Sequence, residues 1–358
     1  MRTFEQVRRA ALACWLALGV SASGAAEGTR YVVAESVTMP GVTGWDYLAI
    51  DSTQRTLYIT DSGGLIAFDI DALKTLGTVP TDLNVSGVGL LHAVAFDTIH
   101  GHGFVVHEVP ASVVAFDLRS RRHIAVIPTD LGPDAMAFDA ATDRLFVLSA
   151  KTEGVHSVTV VDSTTLKVMG HIPLPGRPEF AVTDGIGNLF VNLADRHAIA
   201  RIDTRALKVA AVWPIQGCVE PTGLAVDAEH ARLFASCNNQ VMAMVDAGTG
   251  KTVATVHTGK GTDAVAFDPG TGIVFCSNGD SATLTLAHED SPSTLRVVQQ
   301  LPTASGARTL ALDSRTHRVF LMAGTYGRAP PHASVDNPHR YPRIKAGTAK
   351  LLVLAPNP

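Results

Sequence analysis

The chain is predicted to fold as an all-β, seven-bladed β-propeller with four-stranded antiparallel blades. Three observations predict this. A short apolar run ending in Asp occurs seven times, from Tyr47 to Asp51, Ala93 to Asp97, Ala135 to Asp139, Phe180 to Asp184, Gly223 to Asp227, Ala264 to Asp268 and Thr309 to Asp313. Successive Asp residues stand 46, 42, 45, 43, 41 and 45 positions apart. Each unit also holds further short runs rich in Val, Ile and Phe, bounded by Gly, Asp and Pro. Repeats of roughly 40–50 residues built from such strands are the signature of a propeller.

In chain order, the first element is an export signal. Arg2, Arg8 and Arg9 form a basic start, Ala10 to Val20 is apolar, and Ser21 to Ala26 supplies small residues for cleavage. A cleaved signal over 1–26 is expected, followed by one propeller domain over 27–358. The eleven apolar residues are too few for a bilayer, which needs about 20. No later stretch is long enough to span one, so a periplasmic or extracellular location is expected. Loss of Arg2, Glu5, Arg8 and Arg9 moves the formal charge from −4 to −6. An acidic chain lacks the electrostatic footprint of general nucleic-acid binding, apart from the local triplet Arg119, Arg121 and Arg122, which reads as a solvated turn.

Tyr31 to Val37 is read next, as the strand missing from the other end. The last unit supplies Thr309 to Asp313, Val319 to Met322 and Leu351 to Leu354, and a fourth strand from the N-terminus would close the ring without an exposed edge. The second unit shows the full beat: Ala93 to Asp97, Gly103 to Val106, Val113 to Phe116 and Ile124 to Ile127. Third strands end in hydrophobic-Asp at Asp69, Asp117, Asp162, Asp203 and Asp246. The sixth unit loses this Asp and reads Leu284-Thr-Leu-Ala287.

The chain resembles the YncE-like, YVTN-repeat propellers exported by bacteria. The resemblance runs from about Tyr31 to the C-terminus. It rests on Gly44 to Asp51, Arg177 to Val182, Cys218 to Asp227, His288 to Pro292 and Gly306 to Asp313 taken together. It implies a periplasmic seven-bladed propeller acting as a binding or interaction protein, and it brings no catalytic residues. Some relatives have been associated with DNA, which the acidic charge here argues against. The loop His107 to Pro110 departs from the Asn/Gly-rich turn such blades carry.

In a propeller the first strand of each blade lines the central channel. Counting five residues back from each repeat Asp gives the positions at one mouth: Asp46, His92, Asp134, Glu179, Thr222, Asp263 and Arg308, with Glu220 nearby. Three readings stand side by side. The residues cap turns and pair across blades, with Arg308 beside Asp263 or Asp46. They recognise a cationic or zwitterionic small molecule or a peptide segment. Or they hold a divalent cation such as Ca²⁺, with Asp46, His92, Asp134, Glu179 and Asp263 as candidate ligands, or act as general acids and bases. Connections between second and third strands should open on the same face, adding His107, Glu108, Asn192 and Asn238 as wall candidates. No Gly-x-Ser-x-Gly elbow, His-Glu-x-x-His helix or glycine-rich phosphate loop occurs.

Cys218 precedes the first strand of the fifth blade and Cys237 ends its second. Antiparallel neighbours place these ends together, so a disulfide is expected, with Cys276 left unpaired. The Pro-rich stretch 324–347 interrupts the seventh blade and carries Arg328, Arg340, Arg343 and Lys345, a charge opposite to that of the mouth it should overhang. The expected function is ligand or partner binding at the acidic mouth by a monomer, with a hydrolase, lyase or isomerase as the alternative.

Overall fold

A computed structural model describes residues 29–81, 91–150, 154–334 and 342–357. The expected signal over 1–26 lies outside the described residues. Seven four-stranded antiparallel sheets follow one another as blades, each with its strands in chain order except the last. The second blade comprises Leu91–Asp97, His102–His107, Ser112–Asp117 and His123–Pro128, matching the four runs read from the sequence. The last blade runs Leu310–Asp313, Arg318–Ala323, Lys350–Pro356 and Tyr31–Thr38, so both ends of the described chain share one sheet. Tyr31 pairs with Pro356 and Thr38 with Lys350.

The middle strands are buried on both faces because each blade stacks against two neighbours. Leu57, Tyr58 and Ile59 are all fully buried, so their run is continuously apolar instead of alternating. The core therefore lies between blades. Phe190 and Ile199 of the fourth blade, for example, pack with Leu224, Leu233 and Val245 of the fifth. The outermost strands keep one face in solvent and alternate, as in Lys208–Pro214.

The repeated Asp residues turn the corner after each inner strand. Asp51 Oδ1 accepts from the backbone N–H groups of Thr53 (2.9 Å) and Gln54 (3.2 Å), and Asp97 does the same with Ile99 and His100. They also tie blades together. Arg55 of the first blade donates two 2.8 Å bonds to Asp313 of the seventh, and His317 of the seventh meets Asp268 of the sixth at 2.7 Å.

Cys218 and Cys237 form the expected disulfide, and Cys276 is a buried free thiol. The bridge closes a short loop beside the core of the fifth blade. Replacing both cysteines with alanine is expected to lower unfolding stability by about 2–3 kcal/mol, read from urea denaturation of the oxidised parent and the variant.

Candidate functional site

The mouth positions owe their orientation to a repeated irregularity. In six blades the inner strand slips register against its neighbour: between Trp45 and Leu48, Leu91 and Val94, Pro133 and Met136, Pro178 and Ala181, Pro221 and Leu224, and Thr262 and Val265. The slip falls on the mouth residue and its successor, and such a bulge bends the strand and re-aims a side chain. Hydroxyls on the second strand take up the backbone N–H groups that the bulge frees. Thr60 accepts from Tyr47 (2.9 Å), Ser236 from Gly223 (3.0 Å) and Ser277 from Ala264 (3.1 Å). In the seventh blade pairing starts only at Leu310, and Arg308 precedes the strand.

Six of the seven mouth positions border a cavity of about 600 Å³. Its lining includes the carboxylates of Asp46, Asp61, Glu108, Asp134, Glu179 and Asp263, the guanidiniums of Arg177 and Arg308, and the imidazole of His92. Asp46 is the hub. Its Oδ2 lies 2.7 Å from His92 Nδ1, and its Oδ1 accepts from Arg308 Nη2 at 3.3 Å. Arg308 Nη1 donates to Asp263 Oδ2 at 2.7 Å. His92 Nδ1 is also 3.1 Å from Asp134 and its Nε2 is 3.5 Å from Glu108. Glu179 accepts from the more exposed Arg177 at 2.7 Å.

The charges divide into a settled and an unsettled set. Burial pushes the Asp46 pKa up, but His92 and Arg308 outweigh it and hold the carboxyl below its ordinary value. Burial opposes protonation of His92, yet its bonds to Asp134, Asp46 and Glu108 prevail and raise its pKa well above the ordinary histidine value. Glu179 is pushed up to about 7 by burial and by the neighbouring Asp134, Asp263 and Asp46, against the pull of Arg177. Asp263 is pushed up to about 6 by burial, with Asp46 and Asp134 adding to it and Arg308 opposing. Two carboxyl groups are therefore poised near neutrality. Asp46, His92 and Asp134 offer three ligand atoms within 4.8 Å of one another, and this trio could hold a metal ion.

Six of the mouth residues named from the sequence line the cavity: Asp46, His92, Asp134, Glu179, Asp263 and Arg308. Thr222 and Glu220 are not among its lining residues. The Thr222 hydroxyl bonds to Ser236 Oγ (2.9 Å) and to the carbonyl of Thr262 in the next blade (3.1 Å). Glu220, in a left-handed backbone conformation, accepts from the Asn238 amide at 2.8 Å. That bond also accounts for Asn238. Asn192 donates to the carbonyls of Thr222 and Gly223, stitching the fourth blade to the fifth. His107 is buried within its strand, and the adjacent Glu108 reaches the cavity instead.

Sequence reading misses the floor. Tyr47 belongs to the first blade but packs against the cores shared by the second, third and fourth blades. It stacks on Phe180 with centroids 5.8 Å apart. The pair spans the channel, with burial and the surrounding Asp134, Asp46, Glu179 and Asp263 raising the pKa of the Tyr47 hydroxyl. A signal was present. The position after each mouth residue reads Tyr47, Ala93, Ala135, Phe180, Gly223, Ala264 and Thr309, and only two of the seven are large. At Gly223 a Cβ would meet the carbonyl oxygen of Asp263 at 2.6 Å, so a small residue is required there.

The insertion at 324–347 borders the mouth through its two described limbs, with 335–341 outside the described residues. Tyr326 and Pro342 line the cavity, and Tyr326 lies against Trp45 with centroids 6.0 Å apart. The limbs are joined by bonds from Gly327 N to Arg343 O and from Lys345 N to Thr325 O, both 2.8 Å. Ile344 N donates to Thr43 O at 2.8 Å and the Ile344 side chain is buried beside Trp45.

No protein-family model and no curated protein matches the chain. Among solved structures it is similar to Kuenenia stuttgartiensis hydrazine synthase, with TM-score 0.67 and 13% identity over 82% of this chain and 96% of that one. It is likewise similar to U3-55K, with TM-score 0.72 and 11% identity over 90% and 99% of the two chains. For the RRP9 WD40 repeats the TM-score is 0.71 at 10% identity, over 90% and 98%. At these identities the likeness shows the fold alone: a seven-bladed β-propeller. The narrower resemblance to YncE-like proteins rests on the sequence stretches that suggested it.

Proposed function

We propose that this propeller is an exported binding protein whose axial cavity takes a small organic cation or zwitterion, free or carried on a peptide. The observation that supports this most directly is the convergence of Asp46, Asp134, Glu179 and Asp263 on an aromatic-floored cavity where two carboxyl groups already resist ionisation. Crowded carboxylates are relieved by a positive group, and the faces of Tyr47 and Phe180 suit an alkyl or ammonium moiety. Arg308 and Arg177 would meet an accompanying carboxylate. Export is supported by the basic-apolar-small N-terminal segment and agrees with the Cys218–Cys237 disulfide.

Thermal shift and calorimetry with putrescine, choline, lysine and a lysine-containing tripeptide test the reading. At least one is expected to bind with a stoichiometry of one and to lose affinity in Asp134→Asn. Absence of binding by all four at pH 8 would overturn it. A second reading, a divalent ion on Asp46, His92 and Asp134, is favoured by the close approach of their ligand atoms. It predicts stabilisation by Ca²⁺ or Mn²⁺ alone, abolished by Asp134→Asn.

A further inference from the structure

We propose that Asp227, His230 and Glu289 form a binding site for a divalent transition-metal ion joining the fifth and sixth blades. The site lies at the far end of the inner strand from the mouth and is independent of the cavity. One ligand atom from each of the three residues falls within 4.8 Å of the others. Asp227 Oδ2 is 2.6 Å from His230 Nδ1.

The repeat shows what is unusual here. An Asp followed three positions later by His closes the inner strand twice, at Asp97/His100 and at Asp227/His230. At the first, the Asp97 carboxylate lies beside Ser163 of the next blade, the residue after strand-ending Asp162. The Ser163 hydroxyl donates to the Asp143 carbonyl at 3.0 Å and, against burial, helps to hold the Asp97 carboxyl below its ordinary value. The matching residue of the sixth blade follows His288, which occupies the register position of Asp162, and it is Glu289. A small neutral side chain is thus replaced by a second carboxylate. Asp227 is almost wholly buried, and both Glu289 oxygens are shut off from solvent and accept no hydrogen bond. Asp227 is served by the N–H groups of Glu229 (3.0 Å) and His230 (3.3 Å) and by the His230 ring, whereas the Glu289 carboxylate beside it has no donor, and a bridging cation would relieve the repulsion between the two.

The donor set selects the class of ion. Two carboxylate oxygens with one imidazole nitrogen suit Zn²⁺ or Mn²⁺ better than the all-oxygen preference of Ca²⁺ or Mg²⁺. The half-exposed His230 side chain gives a route in from solvent, and the backbone bond from Glu289 N to Gly272 O (2.9 Å) fixes the strand that carries the third ligand.

The test uses the full chain, stripped with EDTA and titrated with Zn²⁺ by calorimetry and thermal shift. Because Asp46, His92 and Asp134 could also take Zn²⁺, every titration is repeated in Asp134→Asn. The Asp134→Asn protein is expected to retain one Zn²⁺ per chain. Adding Glu289→Gln or His230→Ala to it should weaken that binding by about tenfold or more. The exposed position of His230 keeps that variant folded if Glu289→Gln is not. Failure of the Asp134→Asn protein to bind Zn²⁺, or binding that His230→Ala leaves unchanged, would overturn the site and leave Asp227 and Glu289 as a proton-sharing pair.

Discussion

Glu179→Gln is expected to weaken binding of an organic cation by about 30-fold or more at pH 8 while raising the stability of the ligand-free protein. The two effects share one cause. Glu179 is pushed up to about 7 from an ordinary 4.5, because burial and three neighbouring carboxylates disfavour its charge more than Arg177 favours it. A carboxyl whose folded pKa is raised contributes stability below the unfolded pKa and loses it as pH climbs through the folded one. The parent should therefore lose stability between about pH 4.5 and 7, and the glutamine variant should not share that loss. The difference at pH 8 is expected to be on the order of 2–3 kcal/mol, vanishing near pH 4. Asp263, raised to about 6, adds to the same window. Cation affinity runs the other way, rising between about pH 5.5 and 7.5 as both groups ionise. Denaturant melts and titration calorimetry across pH 4–8 check both arms; a variant less stable than its parent at pH 8 would show that Glu179 is held by Arg177 and not strained by its neighbours.

Tyr31→Ala is expected to lower stability by about 3–5 kcal/mol, the range for removing a fully buried aromatic ring. Tyr31 is wholly buried at the start of the N-terminal strand and stands edge-on to Phe275 of the sixth blade, with centroids 5.0 Å apart. Gln299, on the outer strand of that blade, donates to the Tyr31 carbonyl and accepts from its N–H, both at 2.8 Å. These contacts hold the strand that completes the ring, so their loss also exposes an edge able to pair with other chains. The Tyr31 hydroxyl is buried without a partner, so Tyr31→Phe should leave stability unchanged or slightly higher. Urea unfolding of the two variants separates the ring from the hydroxyl. Equal losses in both would contradict the packing account.

The ring was legible because every blade needs the same corner. An Asp that turns the chain and ties it to a neighbour must recur at a fixed place, and its recurrence locates the mouth residues five positions earlier. Five of those, Asp46, His92, Asp134, Glu179 and Asp263, lie at the cavity where a bulge recurs too, and Arg308 reaches it from just ahead of its strand. Thr222 escapes the rule because hydrogen bonds to Ser236 and to the next blade claim its hydroxyl, and the sequence of one blade says nothing of the carbonyl waiting in another. Glu108 was legible among the connections between second and third strands, whereas Asp61, at the end of a second strand, and Arg177, ahead of an inner strand, reach the site by paths that depend on tertiary packing. Tyr47 and Phe180 broke the small-residue column plainly enough, but which way two large rings turn inside a channel is decided by the opposite wall. The missing third-strand Asp of the sixth blade likewise marked a local change, and only the facing Asp227 shows its chemical meaning.

The stacked rings of Tyr47 and Phe180 have a consequence for traffic. They come from the first and fourth blades and meet within the ring, so a polymer drawn along the axis would first have to part them. A single side chain or chain end meets no such demand, because it can rest against the rings from the side where Tyr326 and Pro342 of the insertion stand.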